Sequence, residues 1–141
     1  MLEFVDSRGT LMPYVNIVTA LAVLQFVVFA MKVGRARGRY GVKAPAITGN
    51  EIFERHFRVQ QNTLEWLIVF IPGIYMFGRY FSPFVAAGLG VLYLVGREMY
   101  AIGYVKDPAK RSAGFLLSFG PTIILIVGGL IGAVRAAIFY T

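Results

Sequence analysis

From Gly9 to Met31 the chain carries no charged side chain. Crossing the hydrocarbon core of a bilayer takes about 20 predominantly apolar residues in a helix. Two further runs of this kind follow. One covers Tyr80 to Gly96 and continues through Arg97 to about Tyr104; the other covers Ser112 to Val134. Soluble domains carry about 25% charged and 45–50% apolar residues, whereas here the figures are 15% charged and 57% hydrophobic. A chain of 141 residues has the length of one domain and cannot hide that much apolar surface in a single small core. Lipid must cover the rest, so the expected class is an all-α integral membrane protein.

A further stretch, Trp66 to Gly78, is too short to span alone, and its helix must extend back through Glu65, Arg58, Arg55 and Glu54. That helix is apolar in its second half and charged in its first, with Pro72 inside it as an expected kink. Thr48 with Glu51 fits a capping box opening it. Ser82-Pro83 marks the start of the third helix, because proline suits the first helical turn, and Asp107-Pro108 marks a turn before the fourth. Gly128 and Gly132 give a small-xxx-small spacing that lets backbones approach closely. The expected architecture is an antiparallel four-transmembrane-helix bundle forming a single domain over 1–141, with helices at roughly 9–36, 49–78, 82–105 and 110–138. The first run exceeds a signal-peptide core and follows the acidic Glu3 and Asp6, so it is expected to be retained.

Lys32, Arg35, Arg37, Arg39, Lys43, Arg55 and Arg58 lie at or near the first connection, and Arg97, Lys106, Lys110 and Arg111 at or near the third. Only Arg8, Arg79 and Arg135 belong to the opposite side. Positive loops stay cytoplasmic, so both of these connections are expected to face the cytosol. The net charge of +7 then reports topology and anionic headgroups rather than nucleic acid. Cysteine is absent and His56 is the single histidine, which excludes disulfides, thiolate metal sites and a multi-histidine metal site; no metal is expected. His56 reads as a surface or packing residue.

Ionisable residues at membrane depth cost about 2.5–3.5 kcal/mol each on insertion scales, so they point to function by default. Here they align. Arg58, Asn62 and Glu65 share a face of the second helix, and Arg97, Tyr100 and Tyr104 share a face of the third. Arg111 opens the fourth helix at the same end. Arginine forks suit carboxylates, a glutamate can hold an ammonium, and asparagine and tyrosine can bond amides or a thiol. A small zwitterion with two carboxylates, one ammonium and peptide groups, such as glutathione, matches this inventory. A free amino acid or an anionic phospholipid headgroup fits less completely. The rival structural reading pairs Arg58 with Glu65 or Glu54 as helix glue and lets Arg97 with Glu98 snorkel to the headgroups.

The segment Phe53-Glu-Arg-His-Phe-Arg-Val-Gln-Gln-Asn-Thr-Leu-Glu65 resembles the helix-two motif of the MAPEG family, the membrane-associated proteins of eicosanoid and glutathione metabolism. Tyr93-Leu-Val-Gly-Arg-Glu-Met-Tyr-Ala-Ile-Gly-Tyr104 resembles its helix-three motif. Val33-Gly-Arg-Ala-Arg37, Pro45-Ala-Ile-Thr-Gly49 and Lys110-Arg-Ser-Ala-Gly-Phe115 fit the flanking segments. The likeness runs from about Val33 to Phe119 and is strongest to the branch of type-2 microsomal glutathione transferases and leukotriene-C synthases.

The resemblance implies a homotrimer with glutathione, as co-substrate, in clefts between neighbours. It assigns glutathione binding to Arg37, Arg58, Gln60, Asn62, Glu65, Tyr100 and Tyr104, with Trp66 and Arg97 as further candidates, and thiolate stabilisation to Arg111. The implied function is a membrane-bound glutathione transferase acting on a hydrophobic electrophile, with peroxidase activity on a lipid hydroperoxide as a second activity. Membrane lipid is an expected partner. Two positions depart from the leukotriene-forming members: Trp66 stands in place of a tyrosine and Gly38 in place of a second arginine. That favours a broader transferase. The alternatives are a non-enzymatic lipid-binding protein of the same fold, against which Arg111 argues, and a small multidrug transporter using Glu65, against which the nearby Arg58 argues.

Overall fold

The structure is a computed structural model that describes residues 7–140, with side chains described from residue 11 onward. Glu3 and Asp6, and the Arg8 side chain counted toward topology, therefore lie outside the described residues. Four long helices follow one another, α1 (Ser7–Tyr40), α2 (Glu51–Tyr80), α3 (Pro83–Lys106) and α4 (Ser112–Phe139), with a short 3-10 turn, Pro108–Arg111, before α4.

The helix ends follow from local chemistry. α1 stops where Gly41 takes a φ of 69°, and the Val42 N–H returns to the Arg37 carbonyl at 3.1 Å. This is a left-handed glycine closure of the kind that satisfies terminal carbonyls. α2 opens at Asn50 rather than through the expected Thr48–Glu51 box: the Asn50 side chain accepts the Phe53 N–H at 3.0 Å. Asparagine is among the best N-caps, and it stands directly before the first helical residue. Ser82 caps α3 ahead of Pro83, accepting the Val85 N–H at 3.2 Å. Asp107 ends α3 and caps the 3-10 turn through the Ala109 N–H at 3.0 Å. Arg111 closes that turn, so α4 begins one residue later, at Ser112.

The helices run alternately up and down. Gly78 of α2 packs near Val15 and Ala86 at one end, while Arg55 donates to the Val105 and Lys106 carbonyls at 3.1 and 3.0 Å at the other. α4 lies against both α2 and α3, and glycines set how close it comes. A Cβ on Gly96 would fall 2.5 Å from the Ser118 nitrogen, and one on Gly114 would strike the Tyr100 backbone. The Gly128–Gly132 spacing likewise receives the Phe77 and Tyr80 side chains of α2.

The interior is apolar around Val15, Phe70, Ile74, Tyr93 and Leu125, with the Phe70 and Tyr93 rings stacked at 3.9 Å. The exterior is apolar as well: Ile17, Leu24, Ile68, Phe84, Leu116 and Ile138 are all exposed. Three helical segments, Leu11–Tyr40, Pro83–Lys106 and Pro108–Phe139, are long and apolar enough to cross a membrane. α2 is not among them, because its first half holds Glu51, Glu54, Arg55, Arg58 and Glu65. Its 30 residues nevertheless reach about 45 Å at 1.5 Å per residue, alongside the others.

Candidate functional site

At the end of the bundle that carries Arg55, four elements converge. Arg58 and Asn62 stand one turn apart on α2, Arg58 exposed and Asn62 half-buried. The Asn62 Oδ1 is buried and accepts no hydrogen bond. α3 brings Tyr100 and Tyr104, with ring centroids 5.5 Å apart. The 3-10 turn brings Arg111, whose Nη1 donates to the Pro108 carbonyl at 3.0 Å, and α4 adds Phe115. These six side chains line one open cleft of about 370 Å³.

The cleft is electropositive by composition. Two guanidinium groups face it and no carboxylate lines it. Guanidinium stays charged in proteins and offers five N–H donors in a fixed fork. The two phenols can donate, and the free Asn62 oxygen can accept. Such a set can hold an anion with an amide attached and can favour an ionised form over a neutral one.

Of the sequence-predicted residues, Arg58, Asn62, Tyr100, Tyr104 and Arg111 are brought together. The others are not. Glu65, one turn beyond Asn62, is exposed and does not line the cleft. Trp66 packs edge-on against Phe115 and Phe119, at 5.9 and 5.3 Å, and so borders the cleft from the apolar side. Gln60 lies about 200° around α2 from Arg58, by 100° per residue. Arg37 clamps the first connection. Its Nη1 donates to the Ala46 carbonyl at 2.6 Å, and its guanidinium covers the Phe53 ring at 4.7 Å.

Arg97 does not reach the headgroups. It is 0% exposed, donates to Thr63 Oγ1 at 2.8 Å, and lies over the Tyr100 ring at 4.2 Å. Glu98 instead accepts from Gln25 Nε2 of α1 at 3.2 Å. Neither Arg58–Glu65, Arg58–Glu54 nor Arg97–Glu98 forms, and among the described residues the side-chain ion pair is Arg55–Glu51. The structural reading of these charges as helix glue therefore fails for Arg58.

Sequence reasoning missed Thr63 and Phe115. Phe115 was legible, four residues after Arg111 and hence on its face. Thr63 was not, since a lone threonine beside Asn62 gives no sign of a buried guanidinium 34 positions away.

The model of the MAPEG family matches residues 15–131 of this chain. An uncharacterized protein of Synechocystis is 50% identical over 115 residues, covering 82% of this chain and 84% of that one. Human microsomal glutathione S-transferase 2 is 43% identical over 82% of this chain and 78% of its own length. Rat leukotriene C4 synthase is 35% identical over 86% and 87%. With the helical bundle, the cleft and this similarity along most of its length, the chain belongs to the MAPEG family.

Proposed function

We propose that the protein is a membrane-bound glutathione transferase that ionises the glutathione thiol in the Arg58–Arg111 cleft and passes the thiolate to a hydrophobic electrophile arriving from the bilayer. The observation that carries this is the convergence of two guanidinium groups, two phenols and an unpartnered buried Asn62 oxygen in one cleft, beside exposed apolar helix faces. The names of the human and rat relatives point to the same chemistry.

Arg58 holds a carboxylate of glutathione, Glu65 its ammonium, and Asn62 with the tyrosines its amides. Arg111 faces the sulfur. An opposite charge within about 4–6 Å favours the ionised form, and the thiolate is the nucleophile. The sulfur forms a bond to the electrophilic carbon, and the electron pair of the broken bond leaves with the departing group or the opened epoxide oxygen. Trp66, Phe115 and Phe119 offer the apolar wall for that partner. The same thiolate can attack a lipid hydroperoxide oxygen, yielding the alcohol, with a second glutathione completing the disulfide and water.

The chain acts as a single domain, and three copies form a homotrimer. Arg37, Gln60 and Glu65 do not line their own protomer's cleft, and a neighbour placed against it accounts for all three. The cleft and both basic connections face the cytosol, as the clustering of cations at that end favours.

The test is ultraviolet difference absorbance of the purified protein titrated with glutathione at neutral pH. A saturable thiolate band is expected. No band, together with no heat of binding, would refute the transferase reading and leave a lipid-binding protein of the same fold.

A further inference from the structure

We infer that a groove between α1, α2 and α3 holds an anionic phospholipid of the surrounding bilayer, its acyl chain on Phe29, Val59, Ala101 and Ile102 and its phosphate against Lys32, Arg35 and Arg39.

Two adjoining clefts make up this groove. The first, about 250 Å³, has an apolar floor of Phe29, Val59, Ala101, Ile102 and Val105 and a rim of Lys32, His56 and Lys106. The second, about 240 Å³, continues it through the shared Lys32 and His56 to Arg35, Arg39 and Tyr40. No acidic side chain lines either part, and none of these cations joins the ion pair at Arg55–Glu51. Lys32 stands at the junction, its Nζ 5.8 Å from the centre of the Phe29 ring. An apolar trough that ends in unpaired cations has the pattern of an amphiphile with an anionic head. Basic side chains beside a membrane surface attract such lipids.

The groove is distinct from the Arg58–Arg111 cleft. The two share no lining residue: His56 stands about 160° around α2 from Arg58, and Ile102 about 160° around α3 from Tyr100 and from Tyr104, by the 100° step of a helix, while Val59 and Ala101 pack in one cluster with Tyr100. Its occupancy does not depend on glutathione.

Trp66 is the single tryptophan, so a reporter can be moved to the groove. Full-length Trp66→Phe/Ile102→Trp protein is placed in phosphatidylcholine vesicles containing phosphatidylglycerol, with bromine on the acyl chains of one lipid or the other. Stronger quenching by brominated phosphatidylglycerol at equal mole fraction is expected, and Lys32→Ala/Arg35→Ala should lower that preference roughly tenfold or more, two surface cations being removed. A reporter at Val91, exposed elsewhere on α3, should show no preference. Equal quenching by both lipids at Ile102, or a preference that survives the double substitution, would overturn the proposal. So would quenching by neither, which would mean that another copy covers the groove. Native mass spectrometry of the unsubstituted protein from mixed-lipid micelles gives a second reading. Retained phosphatidylglycerol, depleted by Lys32→Ala/Arg35→Ala, supports the site; equal retention of both lipids refutes it.

Discussion

Arg97 donates from Nη2 to Thr63 Oγ1 at 2.8 Å, so a guanidinium with no exposed surface is held between α3 and α2 and against the ring of Tyr100, which lines the cleft. Thr63 in turn donates to the Val59 carbonyl at 2.7 Å. Removing the acceptor leaves a buried charged donor without its protein partner, which costs at least the 1–3 kcal/mol typical of an orphaned buried group. Thr63→Val is therefore expected to lower the thermal unfolding midpoint by about that equivalent, and Thr63→Ser to restore it. Equal midpoints for the two variants would show that the hydroxyl is dispensable.

Arg111→Ala should leave the fold and glutathione affinity largely intact while the pKa of the bound thiol rises. The sign follows from the charge: a cation lowers a thiol pKa, so its loss returns the thiol toward the ordinary value of about 8.5. Thiolate absorbance against pH should shift alkaline in Arg111→Ala and less so in Arg111→Lys. An unmoved midpoint would remove Arg111 from this role.

Glu65→Gln tests whether a neighbour covers the cleft. On an open surface a charge pair is worth about 0.2–1 kcal/mol, whereas stripping one partner from a buried pair costs about 3–5 kcal/mol. Calorimetry is expected to show glutathione affinity falling by more than tenfold. A smaller change would leave Glu65 on the open face it occupies in the single protomer.

Subunit mixing separates the two halves of the proposed site. Arg58→Ala lies in the cleft and Arg37→Ala outside it. Each variant alone should lose conjugation activity. Co-expressed, they should regain part of it, because some clefts then receive an intact Arg58 from one copy and an intact Arg37 from the next. No recovery in assembled mixtures would place both residues in a site within one protomer.

Gly114→Ala should be among the most damaging of small substitutions, since the added methyl meets the Tyr100 backbone rather than a movable side chain. Overpacking of this kind costs typically 1–3 kcal/mol, and forcing α3 from α4 also separates Tyr100 from Arg111. Gly38→Ala meets nothing within 4 Å and replaces a helical glycine, so it should stabilise by roughly 0.5–1 kcal/mol. Thermal unfolding of the two variants gives opposite signs if the helix contact is as described.

Local chemistry along the chain is enough to make it helical and to put it in a bilayer. Uncharged runs such as Gly9 to Met31 leave no other way to satisfy the backbone away from water. It also determined which polar residues share a helix face, because the 3.6-residue period is a local property: Arg58 with Asn62 and Tyr100 with Tyr104 all lie in one cleft. Ser82-Pro83 and Asp107-Pro108 marked their boundaries for the same local reason. Which faces meet is set by the packing of the helices against one another. Arg97 shares a row with Tyr100, yet it is buried against Thr63, and Arg37 is turned onto its own connecting loop. Glu65 continues the Arg58 face but falls outside the cleft that Arg58 lines. The axial rotation and separation of the helices set these outcomes, and those depend on backbone contacts such as Gly96 on Ser118 and Gly114 on Tyr100. Such contacts join residues far apart in the chain, and no periodicity within one helix encodes them.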